Sequence, residues 1–278
     1  MNLDFNTPKW DQGYYQDQAP VRACARPWQL TNEGNTKAAL LIHGYAGYPG
    51  ELIRVGKELH TEGFDAFAPR LPGNGTSGAD FRKSKARDWL GVLRTAMDDL
   101  TQRYEEVLIV GHSMGGALAA TIAAEYHSQR LILIAPGLLI PSIPAGKLKL
   151  IAPFVKKIGV PWQADPEYSF YYESEEDDDA YLGSEYWSWV FPKTVLELDK
   201  VRKEAVKNLP LITGRTLVLT GGHDPIVPHE VAALVKEKVN GEVSLHHIKE
   251  AGHYIPYDKS IDAQDEAFDV IRRWVKTA

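Results

Sequence analysis

Three residues stand in contexts that suit nucleophilic acyl transfer. Ser113 lies in Gly111-His112-Ser113-Met114-Gly115, Asp224 in Gly221-Gly222-His223-Asp224-Pro225, and His253 in Glu250-Ala251-Gly252-His253. A serine hydroxyl is a weak nucleophile until a neighbouring base takes its proton. Histidine can do so at neutral pH, and a carboxylate behind it fixes the ring tautomer and stabilises the imidazolium. The reading therefore makes Ser113 the nucleophile, His253 the base and later the acid, and Asp224 the orienting carboxylate. Attack on a carbonyl places negative charge on oxygen, which calls for two backbone N–H donors. Met114, directly after the serine, is expected to supply one. Tyr45, in His43-Gly44-Tyr45-Ala46-Gly47, is expected to supply the other.

These residues need elements to hold them. Residues 107–110 are an apolar β-branched run ahead of the serine motif, and residues 116–124 are a small-residue helical pattern behind it. Strand, sharp turn, helix is the order that lifts a serine out of a sheet, with glycines where backbones approach too closely for side chains. Residues 38–42 read as a buried strand stopping at His43-Gly44, and further strands are predicted near 25–30 and over 64–68, 131–135, 216–220 and 243–248. Helical spacing marks 51–62, 87–104, 230–239 and 260–276. This alternation predicts a mostly parallel sheet covered on both faces, with Asp224 and His253 just past strand ends.

Each residue also has a plainer reading. Ser113 could simply cap a helix, but a cap does not require flanking glycines. Asp224 could be a turn residue before Pro225. Among the nine histidines, His112 suits packing beside the serine, His43 suits bracing the Tyr45 loop, and His223 could line a cleft. Alternation within 243–248 predicts that one of His246 and His247 is buried and the other exposed. No spacing among them matches a metal site, and acyl transfer by a serine, a histidine and a carboxylate needs neither metal nor organic cofactor.

Composition narrows the classes further. The 278 residues carry a net charge of −6, which argues against nucleic acid, where clustered basic residues neutralise phosphates. Cys24 is the single cysteine, so no intramolecular disulfide can form, and the first residues lack the basic start and apolar run of a signal peptide. A cytoplasmic protein with no transmembrane segment is expected. The partner is a small molecule, and a homodimer is left open.

Alternation breaks over 138–208. Six prolines fall between 136 and 166, with aromatics at Tyr168, Phe170, Tyr171 and Tyr172, then at Tyr186, Trp187, Trp189 and Phe191. An acidic run, Glu173, Glu175, Glu176, Asp177, Asp178 and Asp179, lies between them and reads as a solvated face. The stretch is too long for an ordinary loop. The domain reading is an N-terminal arm over 1–36, a core over 37–137 and 209–278, and an inserted cap over 138–208 above the strand ends.

The chain resembles the α/β-hydrolase superfamily, and more closely is similar to bacterial carboxylesterases and monoacylglycerol lipases. The matching stretches are 40–47, 68–76, Asp88-Trp89, the serine elbow, the Asp224 loop and the Ala251-Gly252-His253 loop. They cover roughly 36–135 and 210–278, and the order serine, acid, histidine agrees. One departure is Gly73-Asn74-Gly75, where many relatives have Gly-His-Gly. The resemblance implies the α/β-hydrolase fold and a serine carboxylic-ester hydrolase working through an acyl-enzyme. An apolar cap favours a small to medium uncharged ester of aliphatic, monoglyceride or hydroxycinnamate type; no specific substrate-binding residue is singled out. The alternatives are another scissile bond on the same triad (amide, thioester or carbon–carbon) and a non-catalytic binding protein. A haloalkane dehalogenase would need a carboxylate at Ser113.

Overall fold

Apolar runs with few polar breaks form the centre of the molecule. The computed structural model describes residues 2–10, 13–163 and 178–277, with only the backbone of Asp179. Seven strands form one sheet: β1 (Trp28–Leu30), β2 (Lys37–Ile42), β3 (Phe64–Ala68), β4 (Glu106–His112), β5 (Arg130–Ile134), and two later strands, Arg215–Gly221 and Val243–Ile248. Between them two short strands, β6 (Ile158–Gly159) and β7 (Trp189–Val190), pair as a separate ribbon, so the last two sheet strands are β8 and β9. The order is β1-β3-β2-β4-β5-β8-β9. Within this sheet, among the described residues, β1 runs antiparallel to its neighbour and the remaining pairs are parallel.

The chain leaves β2 for β3 on one side and returns to β4 on the other, in register Ile42 with Gly111. That reversal is the switch point at which open α/β sheets bind ligands beyond the strand carboxyl ends. Nearly every residue of β2 to β5 and β8 is buried, as expected of strands covered on both faces. One face packs on α3 (Ala86–Arg103) and α4 (Met114–Tyr126); the other packs on α1 (Ile53–Thr61) and the last helix, Ile261–Lys276. A short helix, α2 (Gly78–Phe81), precedes α3.

Residues 114–124 of α4 are buried all round, which suits a helix of alanines and glycines enclosed on every side. Gly111 lies so close to the Gly115 carbonyl and Ala119 that a Cβ would collide with both. The outer cover of α4 is α7 (Pro192–Asn208), which directs Leu198, Val201 and Ala205 into the core. This helix lies within the stretch read as a cap and was not anticipated. Two shorter helices precede it, α5 (Ala145–Ile151) and α6 (Asp178–Leu182), and α8 (Val231–Lys238) and α9 (Ile261–Lys276) follow.

Two expectations are corrected. β9 is an edge strand, so alternation buries neither histidine: His246 is half-exposed and His247 exposed. Asp178, read as part of a solvated acidic face, has a fully buried side chain. It accepts from Arg22 Nε at 2.5 Å and from the Cys24 N–H at 3.1 Å, a cation and a donor that offset the cost of burying the carboxylate. Tyr168, Phe170, Tyr171, Tyr172 and acidic residues 173–177 lie outside the described residues.

Candidate active site

The turn between β4 and α4 holds Ser113 at φ +54° and ψ −120°, a left-handed conformation that a residue other than glycine adopts only when its surroundings enforce it. Three backbone bonds do so. The Ser113 N–H donates to the Ile134 carbonyl at 3.0 Å, and the Ser113 carbonyl accepts from Gly137 at 2.7 Å and Gly116 at 2.9 Å. Gly115 has its own constraint, because a Cβ there would meet the Ile42 and His43 carbonyls.

The structure brings Ser113, His253 and Asp224 together from three strand ends. His253 Nε2 lies 2.9 Å from Ser113 Oγ, and His253 Nδ1 lies 2.7 Å from Asp224 Oδ2. A carboxylate accepts, so the proton sits on Nδ1 and leaves Nε2 to accept from the serine hydroxyl. The second Asp224 oxygen accepts from the Ile226 and Val227 N–H groups at 2.8 and 2.9 Å. Burial opposes the Asp224 charge, yet the His253 bond and these two N–H donors hold its carboxyl below the ordinary value. Burial also sets His253, pushing the imidazole below its ordinary value, with the Asp224 bond acting against that and the His112 charge adding to it. A ring held low is neutral at neutral pH and able to take a proton.

The two donors expected for an oxyanion both remain available. Met114 N–H is in the first turn of α4, where intrahelical partners are missing. Among the described residues, neither it nor the Tyr45 N–H donates to a protein acceptor. Gly44 packs against Ser113; a Cβ there would lie 3.3 Å from Ser113 Cβ. His43 braces this loop. Its Nε2 accepts the Leu71 N–H at 3.0 Å, which leaves Nδ1 to donate to the Gly44 carbonyl at 3.0 Å. Complete burial lowers the ring to about 4, so it stays neutral. The Tyr45 side chain points into the core, edge-on to Phe81 at 4.9 Å.

Sequence reasoning missed Glu51, and missed the hydrogen bonds made by three residues it had named, His112, Trp187 and Tyr186. Glu51 Oε2 accepts from the Gly44 N–H at 3.1 Å and faces His112 Nδ1 at 3.3 Å. His112 therefore does more than pack: its Nε2 donates to the His253 carbonyl at 3.1 Å. From the inserted stretch, Trp187 Nε1 donates to the Ala46 carbonyl at 3.1 Å, and Ala46 itself has a left-handed φ of +55°. The Tyr186 hydroxyl donates to the Gly73 carbonyl at 3.0 Å and accepts from the Thr76 N–H at 2.8 Å. Asn74, the departure noted above, is buried and its amide donates to the Leu71 and Pro72 carbonyls at 3.3 Å. His223, by contrast, is largely exposed and faces Glu250. Ser113 itself is only 9% exposed and His253 6%.

The sequence around this site matches a known family. The family described as serine aminopeptidase, S33, matches residues 34–260. The chain belongs to that family. It is a member of the α/β-hydrolase superfamily, similar to bacterial esterases and monoacylglycerol lipases. A thermostable monoacylglycerol lipase from Bacillus sp. strain H-257 is 30% identical over 132 residues, which is 47% of this chain and 52% of that relative. The chain thus spans about half the length of this relative in the match. A carboxylesterase from Bacillus subtilis strain 168 is 24% identical over 243 residues, 85% of this chain and 92% of that one. Among solved structures, a metagenome-derived lipolytic enzyme described with LipS and LipT aligns at a TM-score of 0.74 and 22% identity, covering 91% of this chain and all of its own.

Among the described residues no helix is long and apolar enough to cross a membrane. Also among them, no group of three or more His, Cys, Asp and Glu side chains is placed to hold a metal ion.

Proposed function

We propose that the protein is a serine carboxylic-ester hydrolase. The observation that carries this reading is the continuous line Ser113 Oγ, His253, Asp224, with bonds of 2.9 and 2.7 Å. His253 Nε2 takes the hydroxyl proton as Ser113 Oγ attacks the ester carbonyl. The oxyanion receives the Met114 and Tyr45 N–H groups. His253 then returns the proton to the departing alcohol, leaving an acyl group on Ser113. Water enters, gives a proton to His253, and attacks the acyl carbonyl; the acid leaves and the serine is restored. Asp224 stabilises the imidazolium in both halves.

The insert over 138–208 is the proposed cap and acyl-side lining, with α7 as its foundation on α4. Its Trp187 touches the Tyr45 loop directly, and Tyr186 and Phe191 supply buried aromatic surface beside Phe81. This apolar composition supports an uncharged ester of small to medium size. A monoglyceride is the first substrate to examine, because one relative is named a monoacylglycerol lipase. The family description names a peptidase, which makes amide cleavage the second reading. Against it, the buried carboxylates near Ser113, Glu51 and Asp224, are already bonded to His112 and His253 and are not free to hold a substrate ammonium.

Hydrolysis of p-nitrophenyl butyrate by the wild type and by Ser113→Ala tests the reading, with leucine p-nitroanilide as the amide comparison. Ester turnover that vanishes in the variant supports it. Amide turnover exceeding ester turnover, or ester turnover that survives the substitution, overturns it.

A further inference from the structure

Both halves of the site meet at one buried pair. Glu51 sits in the short turn Pro49–Leu52, just after the loop that carries Tyr45. Its Oε2 takes the Gly44 N–H, and a Cβ on Gly47 would collide with the same carboxylate. Across from it, His112 ends β4 beside the nucleophile. Side chains of both residues are almost completely excluded from solvent.

The ring of His112 has an acceptor at each nitrogen. Nε2 faces the His253 carbonyl at 3.1 Å, which can only accept. Nδ1 faces Glu51 Oε2 at 3.3 Å, an oxygen that already accepts the Gly44 N–H. A neutral imidazole carries one N–H and would set a lone pair against the carboxylate. Satisfying both contacts needs one more proton between Nδ1 and Oε2, and with the Glu51 carboxyl ionised that proton sits on the ring, giving an imidazolium against a carboxylate. We propose that Glu51 and His112 form a buried ion pair that ties the Tyr45 loop to the backbone of His253, so that oxyanion donors and base are held in one frame. Resting on the reading of Ser113 and His253 as nucleophile and base, this makes Glu51 and His112 positioning residues.

Two further observations agree. Despite burial, the Glu51 carboxyl is held below its ordinary value by the His112 bond and charge, with the Gly44 N–H adding to them. The His112 and His253 rings lie 5.1 Å apart, so a cation on His112 disfavours a second one on His253 and keeps the base free. The other titratable and charged groups around the pair are His43, Tyr254 and Tyr257, with Arg70 behind His43 and Asp224 behind His253. A buried ion pair is a weak source of stability, while removing one partner leaves an uncompensated buried charge.

Glu51→Gln is the decisive variant. Its amide oxygen, in the place of Oε2, still accepts the Gly44 N–H and accepts from a neutral His112 Nδ1–H, so the tie to the loop remains, both charges go, and His112 Nε2 has no proton left for the His253 carbonyl. Long-range 1H–15N NMR of the whole protein at neutral pH reads the ring directly. Both His112 nitrogens are expected to be protonated in the wild type and only one in Glu51→Gln. A neutral His112 in the wild type overturns the proposal, whatever the protein does to esters. In kinetics, Glu51→Gln is expected to keep kcat at alkaline pH within about tenfold, because the tie from Gly44 through residue 51 to His112 survives and only the bond to the His253 carbonyl is lost. Its acid limb of kcat/KM moves to higher pH as the neighbouring cation is lost. Glu51→Ala, which breaks the tie, is expected to lose on the order of 100-fold in kcat with KM nearly unchanged, as when an oxyanion donor is misplaced. An unmoved acid limb in Glu51→Gln, or wild-type kcat in Glu51→Ala, overturns the proposal. Should Glu51→Ala fail to fold, the two Glu51→Gln readouts decide alone. A wild type with protonated His112 but no ester turnover supports the ion pair and refutes the esterase reading instead.

Discussion

The sheet edge and the insert above it are built by different means. At the sheet edge, Ser113, Asp224 and His253 each follow a parallel strand, and their positions follow from backbone geometry. In the insert, contact with the site comes through long side chains that bond to loop carbonyls: Trp187 to Ala46, and Tyr186 to Gly73. On the proposed function, the first region fixes which atoms react. The second acts on the shape of the loops around them. Loss of function should therefore be severe and general at the edge, and graded and substrate-dependent in the insert.

The largest effect is expected at Ser113. Ser113→Ala should lower kcat for p-nitrophenyl butyrate by at least about 10⁴-fold, as loss of a triad nucleophile does, while the melting temperature stays near the wild-type value. Residual turnover within tenfold of wild type would break the comparison at its stronger side. Asp224→Asn should cost about 10²–10⁴-fold in kcat, because the amide no longer enforces the productive tautomer of His253; kcat for an unbranched butyrate ester is the measurement.

Next comes Gly115→Ala, where the added methyl meets the Ile42 and His43 carbonyls. A loss of about 2–4 kcal/mol in unfolding free energy is expected from such overpacking, and urea denaturation reads it. A variant as stable as wild type would show that the elbow relaxes.

The pH dependence gives a finer check. Burial holds His253 below the ordinary histidine value of 6.5, and the neutral ring is the active form. Hydrolysis should therefore be full at neutral pH and fall as pH drops through that lowered value, with a midpoint below 6.5 in kcat/KM. A midpoint above 6.5 would mean that Asp224 outweighs burial.

The smallest effect is expected in the insert. Trp187→Phe removes the bond to Ala46 while keeping a ring, and about a threefold to tenfold fall in kcat is expected from one lost neutral hydrogen bond. That loss should differ between acetate and octanoate esters if the insert shapes the acyl side. An identical loss across the series would assign Trp187 to loop support alone.

What could be read from the sequence divides along the same line. The parallel strands and α4 were legible as unbroken apolar or small-residue runs, α3 and α9 by their amphipathic period, and the elbow glycines because backbones meet there. Glu51 was not, since a glutamate at a helix start normally serves its own first turn; its partners Gly44 and His112 are set by the sheet. Asp178 looked like one acid in an acidic run until Arg22, far away in the chain, supplied its partner. α7 lay behind prolines and aromatics that drew the reading toward an irregular cap, although its own pattern is amphipathic. His246 and His247 misled because alternation predicts burial only for a strand with a covered face, and β9 is at the edge.

The central claim is that Ser113 is the single activated nucleophile. Treatment of the whole protein with a fluorophosphonate, followed by peptide mass spectrometry, tests it most directly. One adduct on Ser113 is expected, formed quickly by the wild type and slowly by Asp224→Asn. An unlabelled protein, or an adduct on another residue, would contradict the account.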